Sequence, residues 1–456
     1  MKDSNLHKKI HSCLGLRNVS EKEYLRINDN ISKFYNISDF SFFSPHTKLF
    51  TNFINTSKCL NNKYKLFELI SKKKRFGITG YCYNAKIKTS NNNLFHKKVF
   101  IKEIPLFDPL TMELYYKSCS TNMDNISPVG QAVYDSLYNT NNQANVEHFV
   151  TYLTSKLYEE KYSPNFCRYF GNYYTNLDNY TFDVSNSDTI LDQINELLEI
   201  DADIKYYESA EGIFLQYPNT PSYLLVTEYM RFSIDYLIEN NILNYKIILS
   251  CVFQIFSAIA TMISVFGIKH NDLHFGNIMI EQTDEKYLYY QFNNTLFKVP
   301  TYGYIFKIID WGRSTYNFKK IVGNNNVFNG PGECFEQYVY SRINNSGLEN
   351  IDIEDNMWTD LIMFSHSVLY EYKEYLVNTD LQKLLTKVIT TTDKKQLELR
   401  QFDWELYIEI TSWEFDVKPT ELFNSRIFND FKIIQKNSKK KKTKIPKDIN
   451  IYRFSC

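Results

Sequence analysis

No excess charge of either sign is present, since Lys plus Arg and Asp plus Glu each number 52 in 456 residues. A balanced chain carries no global field, which removes specific nucleic acid or a membrane surface as an obligatory partner. The eight cysteines, Cys13, Cys59, Cys82, Cys119, Cys167, Cys251, Cys334 and Cys456, form no C-x-x-C pair. That scatter excludes a zinc ribbon and a disulfide scaffold and fits a reducing compartment. No H-E-x-x-H motif or histidine cluster appears, and His148 and His366 fall within helical patterns as local polar groups. The opening residues, MKDSNLHKKIHSC, lack the apolar core and cleavage pattern of a secretory signal, so an intracellular location is expected. No repeat of solenoid period is visible. Glycine (14) and proline (11) are scarce beside abundant Asn, Ile, Lys, Tyr and Phe, a bias that resembles drift in an AT-rich genome.

A single long stretch without charge runs from Ile247 to Ile268. Its length suffices to span a bilayer. It nevertheless contains Ser250, Gln254, Ser257, Thr261 and Ser264, and polar residues follow two positions later. A buried helix is therefore expected, and no transmembrane segment.

At this length two domains or lobes are expected. Residues 1–71 mix short helical patterns with Asn-rich connections and show no catalytic spacing. From Lys72 the pattern alternates, as in Tyr81-Cys82-Tyr83-Asn84-Ala85-Lys86-Ile87, then Asn91-Asn92-Asn93, then Val99-Phe100-Ile101-Lys102. This predicts a short antiparallel sheet. A helix is expected from about Gln143 to Glu160, stopped by Ser163-Pro164-Asn165, with a strand at 166–174. An insertion near 175–220 holds a helical pattern at 188–200 capped by Ser187, placed on the surface. After Glu228-Tyr229-Met230 the patterns turn mostly helical, at 233–239, 245–266, 358–372, 380–389 and 404–411. Strands followed by helices predict an α+β chain of two lobes, 72–230 and 231–436. Residues 437–456 form a tail in which Lys439–Lys442 and Lys444 read as a solvated charge run.

Phosphoryl transfer from ATP asks a protein to hold the nucleotide, neutralise its charge with metal and orient the accepting oxygen. The run His270-Asn271-Asp272-Leu273-His274-Phe275-Gly276-Asn277 has the form H-x-D-L-x-x-x-N. In that form the Asp orients or accepts the substrate proton and the Asn binds a metal ion. Thirty-three residues beyond Asn277, the apolar stretch Phe306 to Ile309 delivers Asp310 into a turn at Trp311-Gly312, a setting for a magnesium-chelating carboxylate. Val99-Phe100-Ile101-Lys102 matches the strand whose Lys holds the α and β phosphates. Upstream, Phe76-Gly77-Ile78-Thr79-Gly80 fits the last two glycines of a phosphate-covering loop, with Arg75 where the first glycine usually stands. A helical Glu should pair with Lys102, and Glu147 is preferred over Glu159 and Glu160 because it precedes the apolar face by a turn. Leu224 to Met230, including Thr227 and Glu228, reads as the hinge strand whose backbone would bond adenine.

Together these residues resemble the protein-kinase-like superfamily, in a style similar to the divergent serine/threonine kinases of large DNA viruses of the poxvirus and giant-virus kind. The resemblance covers roughly residues 72–436. It implies a two-lobed fold, with an antiparallel sheet plus helix in the N-lobe and a mainly helical C-lobe. It also implies ATP and Mg2+ as cofactors, protein hydroxyls as acceptors, and a location in host cytoplasm or virion. Asp272 would be the catalytic base, Asn277 and Asp310 the metal ligands, and Lys102 the phosphate clamp.

Four departures qualify it. Asn271 stands where regulated kinases carry Arg, which argues against control by a phosphate docked there. His274 replaces the Lys that touches the transferred phosphate, and D-L-H-x-G-N also resembles aminoglycoside and choline kinases. Trp311 replaces Phe in D-F-G, and the A-P-E element is matched only by Pro331-Gly332-Glu333. Asp355 or Asp360, flanking Trp358, is expected to anchor the catalytic loop. A small-molecule kinase and a pseudokinase scaffold are the alternative readings.

Overall fold

The computed structural model describes residues 40–41, 64–76, 80–89, 94–105, 141–185, 204–210, 212–318, 321–328, 334, 337–338, 357–433 and 450–454. It is a mixed α+β chain with several antiparallel pairings. The described residues divide into two compact units, one formed by those up to 149 with 169–229, the other by 150–168 with those from 230 onward.

In the first unit the described strands make a seven-stranded antiparallel sheet. Its order is Phe40–Ser41, Tyr169–Asp183, Gly212–Glu228, Leu94–Pro105, Gly80–Thr89, Tyr64–Phe76, with Lys205–Ser209 paired to Gly212–Glu228. Leu94–Pro105 is central and buries Val99, Ile101 and Ile104, as expected of β-branched side chains flanked on both edges. Two boundaries differ from the expectation. Phe40–Ser41 already belongs to the sheet, and the first long strand starts at Tyr64 rather than Lys72, because Lys- and Ser-containing stretches still pair through three register shifts. The expected insertion is largely an extension of this sheet, since Tyr180, Thr181 and Phe182 pair with Tyr217, Gln216 and Leu215. Asn residues that punctuate that ribbon in sequence conceal its alternation. The helical pattern at 188–200 lies outside the described residues.

The helix Gln143–Glu159 starts where the Asn142 side chain accepts the Ala144 amide at 2.9 Å, an N-cap. The division between the units falls within it, at Phe149.

The second unit is organised around the helix Tyr245–Phe266. Asn244 caps it by accepting the amides of Lys246 and Ile247, and Gly267 ends it at φ +61, where a Cβ would meet the Asn317 carbonyl at 2.7 Å. Among the described residues this is the one helix long and apolar enough to cross a membrane, with mean hydropathy 2.1, and 89% of that window is buried. Its polar side chains find partners inside the unit. Ser250 donates to the Pro300 carbonyl at 2.6 Å, and Gln254 accepts from Asn165 and from the Phe306 amide at 3.0 and 3.1 Å. Buried polar groups so satisfied are the mark of a core helix in this unit.

Strands Ile278–Gln282 and Tyr304–Ile308 pair antiparallel, and Tyr287–Phe292 pairs with Thr295–Pro300 in a second hairpin. The helices Thr359–Glu371, Asp380–Val388 and Trp404–Ser412 follow, each within a residue or so of its sequence pattern. Beyond the lysine run, the tail forms a strand that the sequence did not signal. Ile451–Phe454 pairs in parallel with Tyr287–Phe292, and Tyr452 and Phe454 are buried. Phe454 joins an aromatic cluster with Phe292 and Phe423 at 5.2 and 4.8 Å, and apolar burial of this kind holds a four-residue strand that charge patterning alone would not. The lysine run lies outside the described residues.

Candidate functional site

In the first unit, Lys102 donates to Glu147 at 2.7 Å. Glu147 is 4% exposed, whereas Glu159 pairs with Lys156 at 2.8 Å, so burial selects among the three acidic positions of the helical pattern. Register carries the rest of this group. Lys102 lies opposite Gly80 and Leu225, and Phe100 opposite Thr227, so Gly80, Lys102 and Thr227 lie on one face of three adjacent strands. Glu228 is buried, with its carboxylate 3.9 Å from the Lys97 amine. Gly77 and Pro331–Glu333 lie outside the described residues.

The second unit holds the loop His270–Asn277. Lys269 exchanges both backbone hydrogen bonds with Thr315, which ties the loop's entrance. The Asp360 carboxylate, buried on Thr359–Glu371, accepts the amides of His270 at 2.7 Å and Asn271 at 2.9 Å. Of the two anchors weighed from sequence this one is in place; Asp355 lies outside the described residues. Burial raises the Asp360 carboxyl, opposed by its histidine neighbour and the two amides. Lys269, 5% exposed, has its amine pushed down to about 8 by burial, an effect offset in part by Asp360.

Asn271 adopts φ +64, a left-handed conformation that Asn tolerates better than a long or branched side chain. Its side chain donates to the Arg313 carbonyl at 2.9 Å and to Thr315 at 3.2 Å. The residue that breaks the sequence pattern is thus built into the loop's turn. His270 is fully buried; its Nδ1 accepts the Asp272 amide at 3.2 Å, so its Nε2 carries the proton donated to the Ile309 carbonyl at 2.8 Å.

Asn277 joins the two motifs. Its Nδ2 donates to the Asp272 carbonyl at 2.8 Å, and its own carbonyl accepts the Ile309 amide at 3.0 Å. Its Oδ1 accepts no hydrogen bond among the described residues. Asp310 follows, exposed and at φ +65, a backbone state costing a non-glycine residue about 1 kcal/mol or more. An amide oxygen and a carboxylate are hard oxygen donors that suit Mg2+, so the residues present fit that ion. Trp311 takes up its place by packing against His270 and Phe166, with ring centroids at 4.9 and 6.1 Å.

His274 caps the turn Phe275–Asn277, where its Nδ1 accepts the Gly276 amide at 3.0 Å, and its Nε2 lies 4.0 Å from Asp272. Burial lowers its pKa, against the pull of Asp272. His366, whose Nε2 donates to the Glu398 carbonyl at 2.8 Å, is lowered by burial too. Folded values below the ordinary 6.5 mean that both rings contribute stability above that pH and lose it as pH falls through their lower folded values. The melting temperature is therefore expected to fall as pH drops below 6.5, and less so in His366→Gln. Melts recorded across that range check it, and an unchanged slope in the variant would remove His366 from the cause.

Two partners of Asp272 were not foreseen. The Tyr407 hydroxyl donates to its Oδ1, and the Arg313 guanidinium lies 3.4 Å from the same oxygen. No sequence spacing signals Tyr407, which stands 135 residues away. Met230, expected at the adenine site, has its sulfur 3.8 Å from Cys167 Sγ. Comparison with protein-family models and with curated proteins finds no match to this chain, so the chemistry of the site rests on the geometry of these residues.

Proposed function

We propose that this chain is an ATP- and Mg2+-dependent phosphotransferase of the two-lobed protein-kinase-like kind, acting inside a cell as a serine/threonine protein kinase. The observation that carries the reading is a pair of hydrogen bonds, from the Asn277 side chain to the Asp272 carbonyl and from the Ile309 amide, next to Asp310, to the Asn277 carbonyl, on a loop anchored by Asp360. The proximity of Asp272, Asn277 and the residue before Asp310 within one unit supports this reading.

In this reading Lys102, fixed by Glu147, binds the nucleotide phosphates, with Gly80 on the same face of the sheet. Thr227, Glu228 and Met230 border adenine. Asn277 Oδ1 and the Asp310 carboxylate would hold magnesium, which when bound would neutralise charge on the transferring phosphoryl group. Asp272 orients the acceptor hydroxyl and takes its proton as the oxygen–phosphorus bond forms, while the β–γ bridging oxygen leaves with ADP. His274, neutral and bonded to Gly276, steadies the loop and offers an Nε2 proton beside Asp272.

The test is transfer of labelled γ-phosphate to a generic protein acceptor, run beside a panel of sugars, choline and aminoglycosides. Label in protein is expected. Label confined to small products would assign the site to a small-molecule kinase, the reading that His274 in D-L-H-x-G-N favours. Magnesium–ATP at about a hundred times its dissociation constant should stabilise the fold by ~2.7 kcal/mol. No rise in melting temperature would leave only a scaffold.

A further inference from the structure

We infer that Tyr407 is a positioning residue for Asp272: its hydroxyl, fixed on Oδ1, sets the carboxylate so that Oδ2 is the oxygen that takes the acceptor's proton. The inference rests on the phosphotransferase reading and deepens it.

A carboxylate has two equivalent oxygens and a soft terminal torsion, so an isolated Asp presents either oxygen in a range of planes. Here the two differ. Oδ1 receives the Tyr407 hydroxyl and lies 3.4 Å from the Arg313 guanidinium, while Oδ2 accepts nothing among the described residues. The donor is itself held. Tyr407 sits in the first turn of Trp404–Ser412, whose start is fixed by Asp403 accepting the Leu406 amide at 2.7 Å. Its ring packs between Phe402 and Tyr338, with centroids at 5.4 and 5.6 Å, and Arg313 lies over it at 5.6 Å. Tyr338 in turn donates its hydroxyl to the Asn271 carbonyl, the peptide that enters Asp272. One aromatic pair therefore bonds both the backbone before Asp272 and its side chain. Burial, reinforced by the Asp272 charge, raises the Tyr407 phenol far above its usual range, so it stays a donor at every working pH.

A buried phenol needs some acceptor, and satisfying that need would be a purely structural role. The two roles separate on kinetics. Tyr407→Phe keeps the ring and removes the hydroxyl. Positioning predicts a fall in kcat of about 10²-fold, because small misplacements of a reacting group cost that much. KM for ATP and the melting temperature should stay close to wild type. Tyr407→Leu, which removes the ring as well, should lower the melting temperature without a further loss of kcat. A Phe variant with wild-type or higher kcat overturns the inference, as does a loss that appears only in KM or tracks only the melting temperature. Asp272→Asn, run alongside, keeps the two levels apart. If it is inactive while Tyr407→Phe matches wild type, only the positioning role fails. If wild-type protein transfers no phosphate to any acceptor, the parent reading fails and the inference with it.

Discussion

Asp272→Asn is expected to slow phosphoryl transfer by about 10³-fold while leaving magnesium–ATP binding intact, within the range that a general base contributes. The substitution is nearly isosteric. The amide oxygen can still accept the Tyr407 hydroxyl, and the backbone carbonyl that receives Asn277 is untouched. What disappears is an oxygen able to take a proton. Single-turnover transfer of labelled phosphate measures this directly, with ligand-induced melting as the binding control. Asp310→Asn should behave differently, because it weakens a metal ligand and so lowers the magnesium dependence of ATP binding together with the rate. If both variants transfer at the wild-type rate, the proposed chemistry does not occur at this loop.

Asp360→Asn carries the largest expected effect on stability. Each carboxylate oxygen of Asp360 accepts one buried backbone amide, from His270 and from Asn271. An asparagine side chain can offer only one oxygen, so its NH2 would face an amide N–H and leave two donors opposed. A charge-assisted bond lost and a buried donor stranded together amount to about 3 kcal/mol. For a unit of this size that corresponds to a melting decrease of roughly 6–12 °C. The rate should fall too, since the loop that carries Asp272 loses its anchor. Melting and transfer measured on the same preparation test both, and an unchanged melting temperature would show that these amides find other acceptors.

Much of the second unit was legible because its signals are local. The helix expected at 245–266 is the one observed, with its ends set by Asn244 and Gly267 on either side of a mostly apolar run. The spacing from Asp272 to Asn277 also survives as contact, since five residues suffice to turn the Asn amide back onto the Asp272 carbonyl. The partners of Asp272 could not be read this way. Arg313 and Tyr407 reach it through folding over 41 and 135 residues, and nothing in the helical pattern at Trp404 marks one tyrosine from another. Asn271 was read only as a missing arginine; its left-handed backbone, which favours Asn on steric grounds, becomes evident once the loop is bonded on both sides. Only the outer part of the ribbon, residues 175–183 with 212–220, reads as an insertion from sequence, because a strand's alternation is weak evidence when Asn and Pro interrupt it.

The parallel strand Ile451–Phe454 imposes an order on the birth of the protein. Gln291 pairs with Arg453, 162 residues later. At about 5–20 residues per second a ribosome needs on the order of ten to thirty seconds to supply the missing partner. Throughout that interval Tyr287–Phe292 stands as an open edge bearing Tyr290 and Phe292, whose rings the last strand will cover. Unpaired aromatic edges recruit other chains. Nascent molecules stalled before residue 451 should therefore be the ones that chaperones hold, and those released early the ones that aggregate.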